Sequence, residues 1–486
     1  MKLLLQQIWG YSDFRFPQGE IIQTLLTGQD ALIILPTGGG KSICFQLPAL
    51  MQSGLTLIVS PLVALMENQV QDLKRRRLPA ALLHSEMPNA DRKKVLWALE
   101  TQQLRLLYLS PETLLSASVW QRLCAPDLKI NGLILDEAHC LAQWGETFRP
   151  AYYRLGAVRP ALLQHKPPGT HIAIAAFTAT ADPITQQTIQ RVLHLDAPNL
   201  FRLSPYRANL SLNVQSVSTP KGRRQRLFQF IQAQGQQPGL VYVRTRSDSE
   251  ALAAQLQQQG YRTAAYHAGL GAIGSAKLPW IAPSKTCAPD ANRRQIEHDW
   301  LSGKLQFVVC TNAFGMGIDK SDLRWIVHYH APLLLSEYVQ EIGRAGRDGK
   351  RAIALTLASN WLDPDDKQRW DFFQRQARSQ IQSAQQLAQK IPTEGSVADV
   401  SKQFKEGAIA LSLLHSSGNL TWSDPFHYKI NLPQNTKHNA TLNSAQPMRN
   451  YLTTKGCRWQ FLLSAFGFET EAKAFHCGQC DSCQKR

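Results

Sequence analysis

Leu35-Pro36-Thr37-Gly38-Gly39-Gly40-Lys41-Ser42 follows a short apolar run and opens a helical pattern. Three successive glycines let backbone N–H groups curl round phosphate oxygens without Cβ clashes, and a helix start adds positive potential at the same point. Thr37, Gly38, Gly39 and Gly40 would line that cradle. Lys41 would reach the β- and γ-phosphates of a nucleotide, and Ser42 would ligate Mg²⁺. Leu35 stands where the strict phosphate-loop pattern has its first glycine. Further on, Asp136-Glu137-Ala138-His139 ends another apolar run. Asp136 can hold Mg²⁺ from the side opposite Ser42, and Glu137 can take a proton from the attacking water. Together the two segments predict phosphoryl transfer from a nucleotide to water.

Gln340-Glu341-Ile342-Gly343-Arg344-Ala345-Gly346-Arg347 places Arg344 and Arg347 three residues apart. We expect them on one helical face, with Gly343, Ala345 and Gly346 allowing close packing. An arginine supplied across an interface is worth roughly 10³–10⁵ in phosphoryl-transfer rate. Nucleotide bridging two lobes would open and close a cleft, which is the behaviour of a motor rather than a kinase. Near the end, Cys457, Cys477, Cys480 and Cys483 offer four thiolates with two C-x₂-C steps. That set suits tetrahedral Zn²⁺; an Fe–S cluster uses the same donors, and His476 is an alternative ligand.

The elements that must position these groups are short and continuous in apolar residues: Ala31–Leu35, Leu55–Ser60, Leu104–Ser110, Gly132–Asp136 and Ile172–Thr178, then Leu240–Val243, Thr263–His267, Phe307–Thr311, Trp325–Tyr329 and Ile353–Leu357. Unbroken runs are what strands buried on both faces of a parallel sheet require. Helical patterns such as Leu62–Leu73 and Ser247–Gln259 fill the gaps, so the fold class is α/β. Two series imply two lobes, residues 1–203 and 204–358, joined near Leu203–Pro205. Gly271–Asp290 has no periodicity and reads as a surface loop, with Trp280 either touching a ligand or folded on the loop itself. The region 359–486 begins with a polar helical stretch. Two short helices (Ser396–Ser416) and a hairpin at Leu420–Leu432 follow, so that 395–433 reads as winged-helix-like or as an irregular connector. Pro433–Pro447 reads as a loop, and 451–486 as the Cys₄ module.

The chain of 486 residues carries 53 Lys+Arg against 36 Asp+Glu, a formal +17 that favours a polyanionic partner. The second lobe holds 19 basic and 10 acidic side chains, with Lys221, Arg223, Arg224 and Arg226 its densest cluster. Binding to such a partner should weaken steeply with salt. No run of 18 apolar residues exists, so no membrane span is expected. Scattered Cys44, Cys124, Cys140, Cys287 and Cys310 read as buried thiols of a reducing, cytoplasmic setting.

At this level of detail the chain resembles the superfamily 2 helicases, and more narrowly the RecQ family. Gly10-Tyr11-Ser12-Asp13-Phe14-Arg15-Phe16-Pro17-Gln18 resembles the family's motif ahead of the phosphate loop, which implies adenine recognition by Tyr11, Arg15 and Gln18. Ser60-Pro61-Leu62 and Tyr108-Leu109-Ser110-Pro111-Glu112 are similar to strand-end motifs that contact DNA backbone, and Thr178-Ala179-Thr180 to the motif coupling hydrolysis to movement. Thr311–Lys320 resembles a segment touching DNA and nucleotide. Ala138–Pro150 is similar to RecQ's aromatic-rich loop. Its Trp144 and Phe148 can stack on bases at roughly 1–3 kcal/mol each, with Arg149 pairing to phosphate; polar Gln143 and Glu146 speak for an exposed loop.

The resemblance implies two tandem RecA-like parallel-sheet lobes followed by a small helical, zinc-binding C-terminal region. It implies an enzyme that couples Mg-ATP hydrolysis to 3′→5′ movement on single-stranded DNA and to unwinding of partly duplex DNA, in repair or recombination. Lys41, Asp136, Glu137, Gln340, Arg344 and Arg347 would be catalytic, and Ser60, Ser110 and Thr311 would contact DNA. Three features depart from the family pattern: the enlarged loop at 271–290, the late zinc cysteines, and the absence after them of the usual winged helix and auxiliary domain. A hairpin at Leu420–Leu432 that substitutes for the strand-separating one would account for the last. The alternatives are a superfamily 2 translocase without strong unwinding, an RNA-directed relative, and a non-catalytic DNA-binding or annealing protein.

Overall fold

A computed structural model describes residues 1–146, 148–270, 289–314, 320–359, 364–431 and 445–485. The first seven strands are β1 (Ala31–Ile34), β2 (Leu55–Val59), β3 (Ala80–Leu83), β4 (Leu106–Leu109), β5 (Ile130–Leu135), β6 (Ala173–Thr178) and β7 (Asn199–Arg202). They form one parallel sheet in the order β3-β4-β2-β5-β6-β1-β7. Every residue of β1, β2, β4 and β6 is buried, as their unbroken apolar runs require. Ile34 lies opposite Thr178, and Leu135 opposite Ala176. The segments leaving β1, β6 and β5 therefore emerge side by side at the carboxyl edge, where open α/β sheets bind ligands.

A second sheet contains β8 (Leu210–Val217), β9 (Gly239–Tyr242), β10 (Thr263–Tyr266), β11 (Phe307–Cys310), β12 (Trp325–His328) and β13 (Ala352–Ser359). It is parallel throughout, in the order β10-β11-β9-β12-β13-β8. The expectation of two α/β lobes matches these sheets. Three strands lie outside the expected runs. β3 is a buried apolar run of four residues, as short as β1; β7 is a partly exposed edge; β8 buries Leu210, Leu212 and Val214 in alternation, as an edge strand does.

The chain divides into two compact units, Met1–Ser204 with Phe373–Leu442, and Pro205–Phe372 with Asn443–Arg486. Of the region 359–486, the segment with the winged-helix-like pattern (395–433) falls in the first unit and the Cys₄ module (451–486) in the second. Helix Pro364–Ala388 leads into an antiparallel sheet of β14 (Glu394–Ser396), β15 (Leu420–Trp422) and β16 (His427–Ile430), ordered β14-β16-β15. Helices Val397–Gln403 and Gly407–Ser416 lie between β14 and β15. Ser396 caps the first by accepting from Asp399 N at 3.1 Å. Val397, Val400, Leu411, Leu420 and Tyr428 close a small core of their own.

The zinc-type module belongs to the other unit and is seated on β8. Trp459 Nε1 donates to Leu210 O at 3.0 Å, Ser211 Oγ to Gln479 O at 2.7 Å, and the Tyr451 and Tyr338 hydroxyls meet at 2.8 Å. Gly271–Asp290, Trp280 included, lies outside the described residues up to residue 288; its last two residues open helix Pro289–Leu301. Residues 432–444 and Cys287 also lie outside them. The loop expected up to Pro447 ends earlier, because Gln446-Pro447 starts helix Gln446–Thr453, a position proline favours. Cys44, Cys140 and Cys310 are buried as expected, but Cys124 is only half-buried.

Candidate active site

The loop between β1 and helix Lys41–Met51 turns on glycines with positive φ, 82° at Gly38 and 72° at Gly40. A Cβ at Gly40 would lie 2.3 Å from Gln18 Nε2, so the glycine admits that side chain. Gln18 donates to Gly39 O and Gly40 O at 3.2 and 3.3 Å and accepts from Arg15 N at 3.0 Å. Gln18 is buried, Tyr11 is half-exposed, and Arg15 Nη1 reaches Gly38 O at 3.4 Å. Leu35, which replaces the pattern's first glycine, is buried and donates its N–H to Thr178 O at 3.0 Å. Its side chain fills the sheet end and the three glycines make the turn.

Lys41 opens the following helix, and its Nζ lies 3.5 Å from Glu137 Oε1. Beyond that ion pair the buried ammonium has no hydrogen-bond partner among the described residues, which leaves room for a further acceptor. Asp136 is buried at the end of β5 and accepts from Glu137 N at 3.0 Å and Gln69 Nε2 at 3.4 Å. Burial, then the charge of Glu137, hold its carboxyl above the usual range, with Lys41 opposing. Glu137 takes φ 50°, a left-handed conformation that a glutamate adopts only where its surroundings enforce it. Ala138 N, bonded to Phe177 O at 2.8 Å, supplies part of that enforcement.

His139 Nδ1 lies 3.0 Å from Thr178 Oγ1 and 3.4 Å from Glu137 Oε2, and Thr178 Oγ1 accepts from Thr180 N at 3.1 Å. Burial lowers the imidazole's affinity for a proton, against the pull of Glu137. The acidic segment and Thr178-Ala179-Thr180 are therefore joined by one side chain. Gln69, on helix Val63–Arg75, gave no sign in the sequence of its bond to Asp136.

The aromatic loop differs in part from its expectation. Phe148 is 72% exposed and meets the half-buried Trp144 edge-on at 5.7 Å. Glu146, whose polarity suggested exposure, is buried and hydrogen-bonded to the Tyr153 hydroxyl. Arg149, expected to pair with phosphate, is bound in both branches to the Glu112 carboxylate, Nε to Oε1 at 2.9 Å, and donates to Pro61 O. It thus ties the loop to both strand-end motifs. Burial works against ionised Glu112, yet the Arg149 hydrogen bond and charge hold it below the usual carboxylate range. Ser60 and Ser110 are buried; Ser110 Oγ caps a helical turn by accepting from Thr113 N at 3.2 Å.

In the other unit, helix Leu335–Ile342 stops before the two arginines, which lie on a turn and not on a helical face. Arg207 and Asn209 bind carbonyls of that turn, Arg207 Nη1 to Gly343 O at 3.3 Å and Asn209 Nδ2 to Gly346 O at 2.8 Å. Gly346 has φ 60°, and a Cβ there would meet Asn209 at 2.7 Å. Gly343, Ala345 and Gly346 are buried, as close packing demands. Arg344 is buried beside Tyr242 and Glu341, whereas Arg347 and Gln340 are half-buried. Thr311 is buried at the end of β11, and residues 315–319 of its motif lie outside the described residues. Of the basic cluster, Arg223 is buried against the Tyr329 ring at 5.6 Å, while Lys221, Arg224 and Arg226 are exposed.

The four cysteine sulfurs Cys457, Cys477, Cys480 and Cys483 all lie within 4.8 Å of one another. Cys477 and Cys483 are 3.9 Å apart, against about 3.8 Å for a tetrahedral Zn–S bond of 2.3 Å. Cys477 N and Arg458 N point at sulfurs of Cys457 and Cys480 at 3.3 and 3.5 Å, and His476 is exposed outside the group.

Residues 15–189 match the DEAD/DEAH box helicase family, 222–349 the helicase conserved C-terminal domain and 426–484 the RecQ zinc-binding family. A protein of Synechocystis sp. named ATP-dependent DNA helicase RecQ is 50% identical over 485 residues, 99% of this chain and 97% of that one. The chain belongs to the RecQ family. It is an ATP-dependent helicase core of that family, and the zinc-binding match selects zinc over an Fe–S cluster at the four cysteines. The Bacillus subtilis protein named probable ATP-dependent DNA helicase RecS is 38% identical over 73% of this chain and 66% of its own length. Mouse ATP-dependent DNA helicase Q5 is 37% identical over 71% of this chain but 34% of its own. Among solved structures, yeast Dbp5 bound to RNA and ADP BeF3 (TM-score 0.56, 16% identity, 75% of this chain and 89% of that one) shares the fold. So does Mycobacterium smegmatis Lhr (TM-score 0.52, 20% identity, 72% of this chain and 46% of that one). No helix among the described residues is long and apolar enough to cross a membrane.

Proposed function

We propose that the chain couples ATP hydrolysis at the carboxyl edge of the first sheet to 3′→5′ movement along single-stranded DNA and to strand separation. The observation that carries this reading is the convergence of Lys41, Asp136, Glu137 and His139–Thr178 at the ends of three adjacent strands. Lys41 takes the β- and γ-phosphates and leaves Glu137, which then orients the attacking water and accepts its proton. Tyr11, Arg15 and Gln18 hold the adenine end, with Gln18 also fixing the phosphate loop through Gly39 and Gly40. Ser42 and Asp136 suit Mg²⁺, a hard cation that takes one or two protein oxygens and neutralises phosphate charge.

Arg347 serves as the second lobe's arginine in preference to Arg344, which is held beside Tyr242 and Glu341. Gln340 assists at the same turn. Phe148 is the stacking aromatic, and phosphate competing for Arg149 would free the loop that Glu112 now holds. The partner is single-stranded and partly duplex DNA, and the setting cytoplasmic, in repair or recombination. Measuring DNA-stimulated ATPase beside duplex unwinding tests the reading. Stimulated hydrolysis with unwinding supports it; stimulated hydrolysis alone means a translocase, and DNA binding without hydrolysis an annealing protein.

A further inference from the structure

The segment from helix Pro364–Ala388 to β16 runs helix, strand, helix, helix, strand, strand, with the sheet order β14-β16-β15. That is the order of a winged helix, a module whose second helix of the helix-turn-helix pair commonly reads nucleic acid. Here that helix, Gly407–Ser416, faces protein instead. Ser412 Oγ donates to Pro150 O at 3.4 Å, and the His415 ring meets Tyr153 edge-on at 5.4 Å. The hairpin turn is occupied as well: Arg154 Nη1 donates to the carbonyl of buried Pro425 at 3.3 Å, and Phe426 packs edge-on against Trp120 at 5.2 Å. A hairpin seated in this way does not present its turn as a strand-separating wedge. Asp424 fixes the turn from within, accepting from His427 N at 2.9 Å and from Phe426 N at 2.6 Å.

Pro150, Tyr153 and Arg154 all belong to the 3₁₀ helix Pro150–Ala157, which directly follows the aromatic loop. Tyr153 continues the contact into that loop. Its ring lies so close to Gly145 that a Cβ there would be 2.6 Å away, and its hydroxyl holds buried Glu146. One residue therefore touches the module on one side and the loop between Trp144 and Phe148 on the other.

We propose that residues 394–430 act as an intramolecular brace for the aromatic loop, with His415 and Phe426 as positioning residues that set how strongly single-stranded DNA stimulates hydrolysis. This rests on reading Phe148 as the DNA-sensing side chain. The brace fixes Tyr153 and Trp120, Tyr153 fixes Gly145 and Glu146, and the loop keeps one resting geometry from which DNA must draw it.

The test uses the full chain with the pair His415→Ala and Phe426→Ala, and separately Arg154→Ala, which loosens the same contact from the other side and leaves the module's own core intact. Hydrogen–deuterium exchange of residues 144–157 without DNA should speed up by about tenfold, as expected for loss of local protection. The single-stranded DNA concentration for half-maximal ATPase stimulation should change by about fivefold or more, corresponding to roughly 1 kcal/mol of coupling, while DNA-free hydrolysis stays the same. Lys429→Ala, exposed on β16, should change neither. Unchanged exchange in Arg154→Ala and in the paired variant overturns the brace, and so does faster exchange with an unchanged DNA response. Phe148→Ala run alongside separates the two claims: if it leaves DNA stimulation intact, the sensing assignment fails, whatever the exchange shows.

Discussion

Lys41 Nζ and Glu137 Oε1 face each other at 3.5 Å, one from the first turn after β1 and the other from the end of β5. Lys41→Ala should lower hydrolysis on the order of 10²–10³-fold through lost charge stabilisation and leave DNA binding measurable. Glu137→Gln should lower it by about 10²–10⁴ through loss of the base while nucleotide still binds. Steady-state ATPase beside fluorescent-nucleotide titration separates the two effects.

Trp144 and Phe148 touch each other yet should behave differently. Phe148 is exposed, so Phe148→Ala should weaken DNA-stimulated hydrolysis by the loss of one stacking contact, about 1–3 kcal/mol, with an unchanged melting temperature. Trp144 also packs against the first lobe's core, so Trp144→Ala should lower the melting temperature too. Thermal melts and DNA titrations on both variants check the contrast.

Zinc is predicted at one ion per chain. Cys480 is fully buried, and the module around it is seated on β8 through Trp459 and Gln479. Cys480→Ser or strong chelation should release the metal and lower the melting temperature of the unit containing β8. Metal analysis of the purified protein should find zinc and no iron.

His415 gives a pH signature. Burial, with like charge from His194 and Arg191, lowers its pKa from the ordinary 6.5 to about 4. The docked state favours the neutral ring, so this contribution is complete above about 6.5 and is lost as pH falls towards 4. It should be on the order of 1–2 kcal/mol, allowing for partial exposure of the half-buried ring. His415→Leu should flatten that part of the stability-against-pH curve, measured by denaturant melts from pH 7 to pH 4.

The parts legible in the sequence were those written locally. β1, β5 and β6 are unbroken apolar runs, and the phosphate loop, the acidic pair and the cysteines are marked by residue type and spacing. What was illegible depends on partners distant in the chain. Helix Leu335–Ile342 stops short of Arg344 and Arg347 in a turn held by Arg207 and Asn209, more than 130 residues earlier. Glu146 looked like a surface residue until Tyr153 supplied its hydrogen bond. Arg149 looked free because Glu112 is 37 residues away. The seating of Ser412 and Phe426 on Pro150 and Trp120 joins segments with no common pattern at all.

The most direct measurement is single-turnover unwinding of a duplex with a 3′ single-stranded tail, run against the same duplex with a 5′ tail. With ATP and Mg²⁺, the 3′-tailed duplex should be separated, the 5′-tailed one should not, and Glu137→Gln should slow the reaction by about 10²–10⁴-fold. Equal separation of both substrates, separation at an undiminished rate in Glu137→Gln, or DNA-stimulated hydrolysis with no separation would contradict the account.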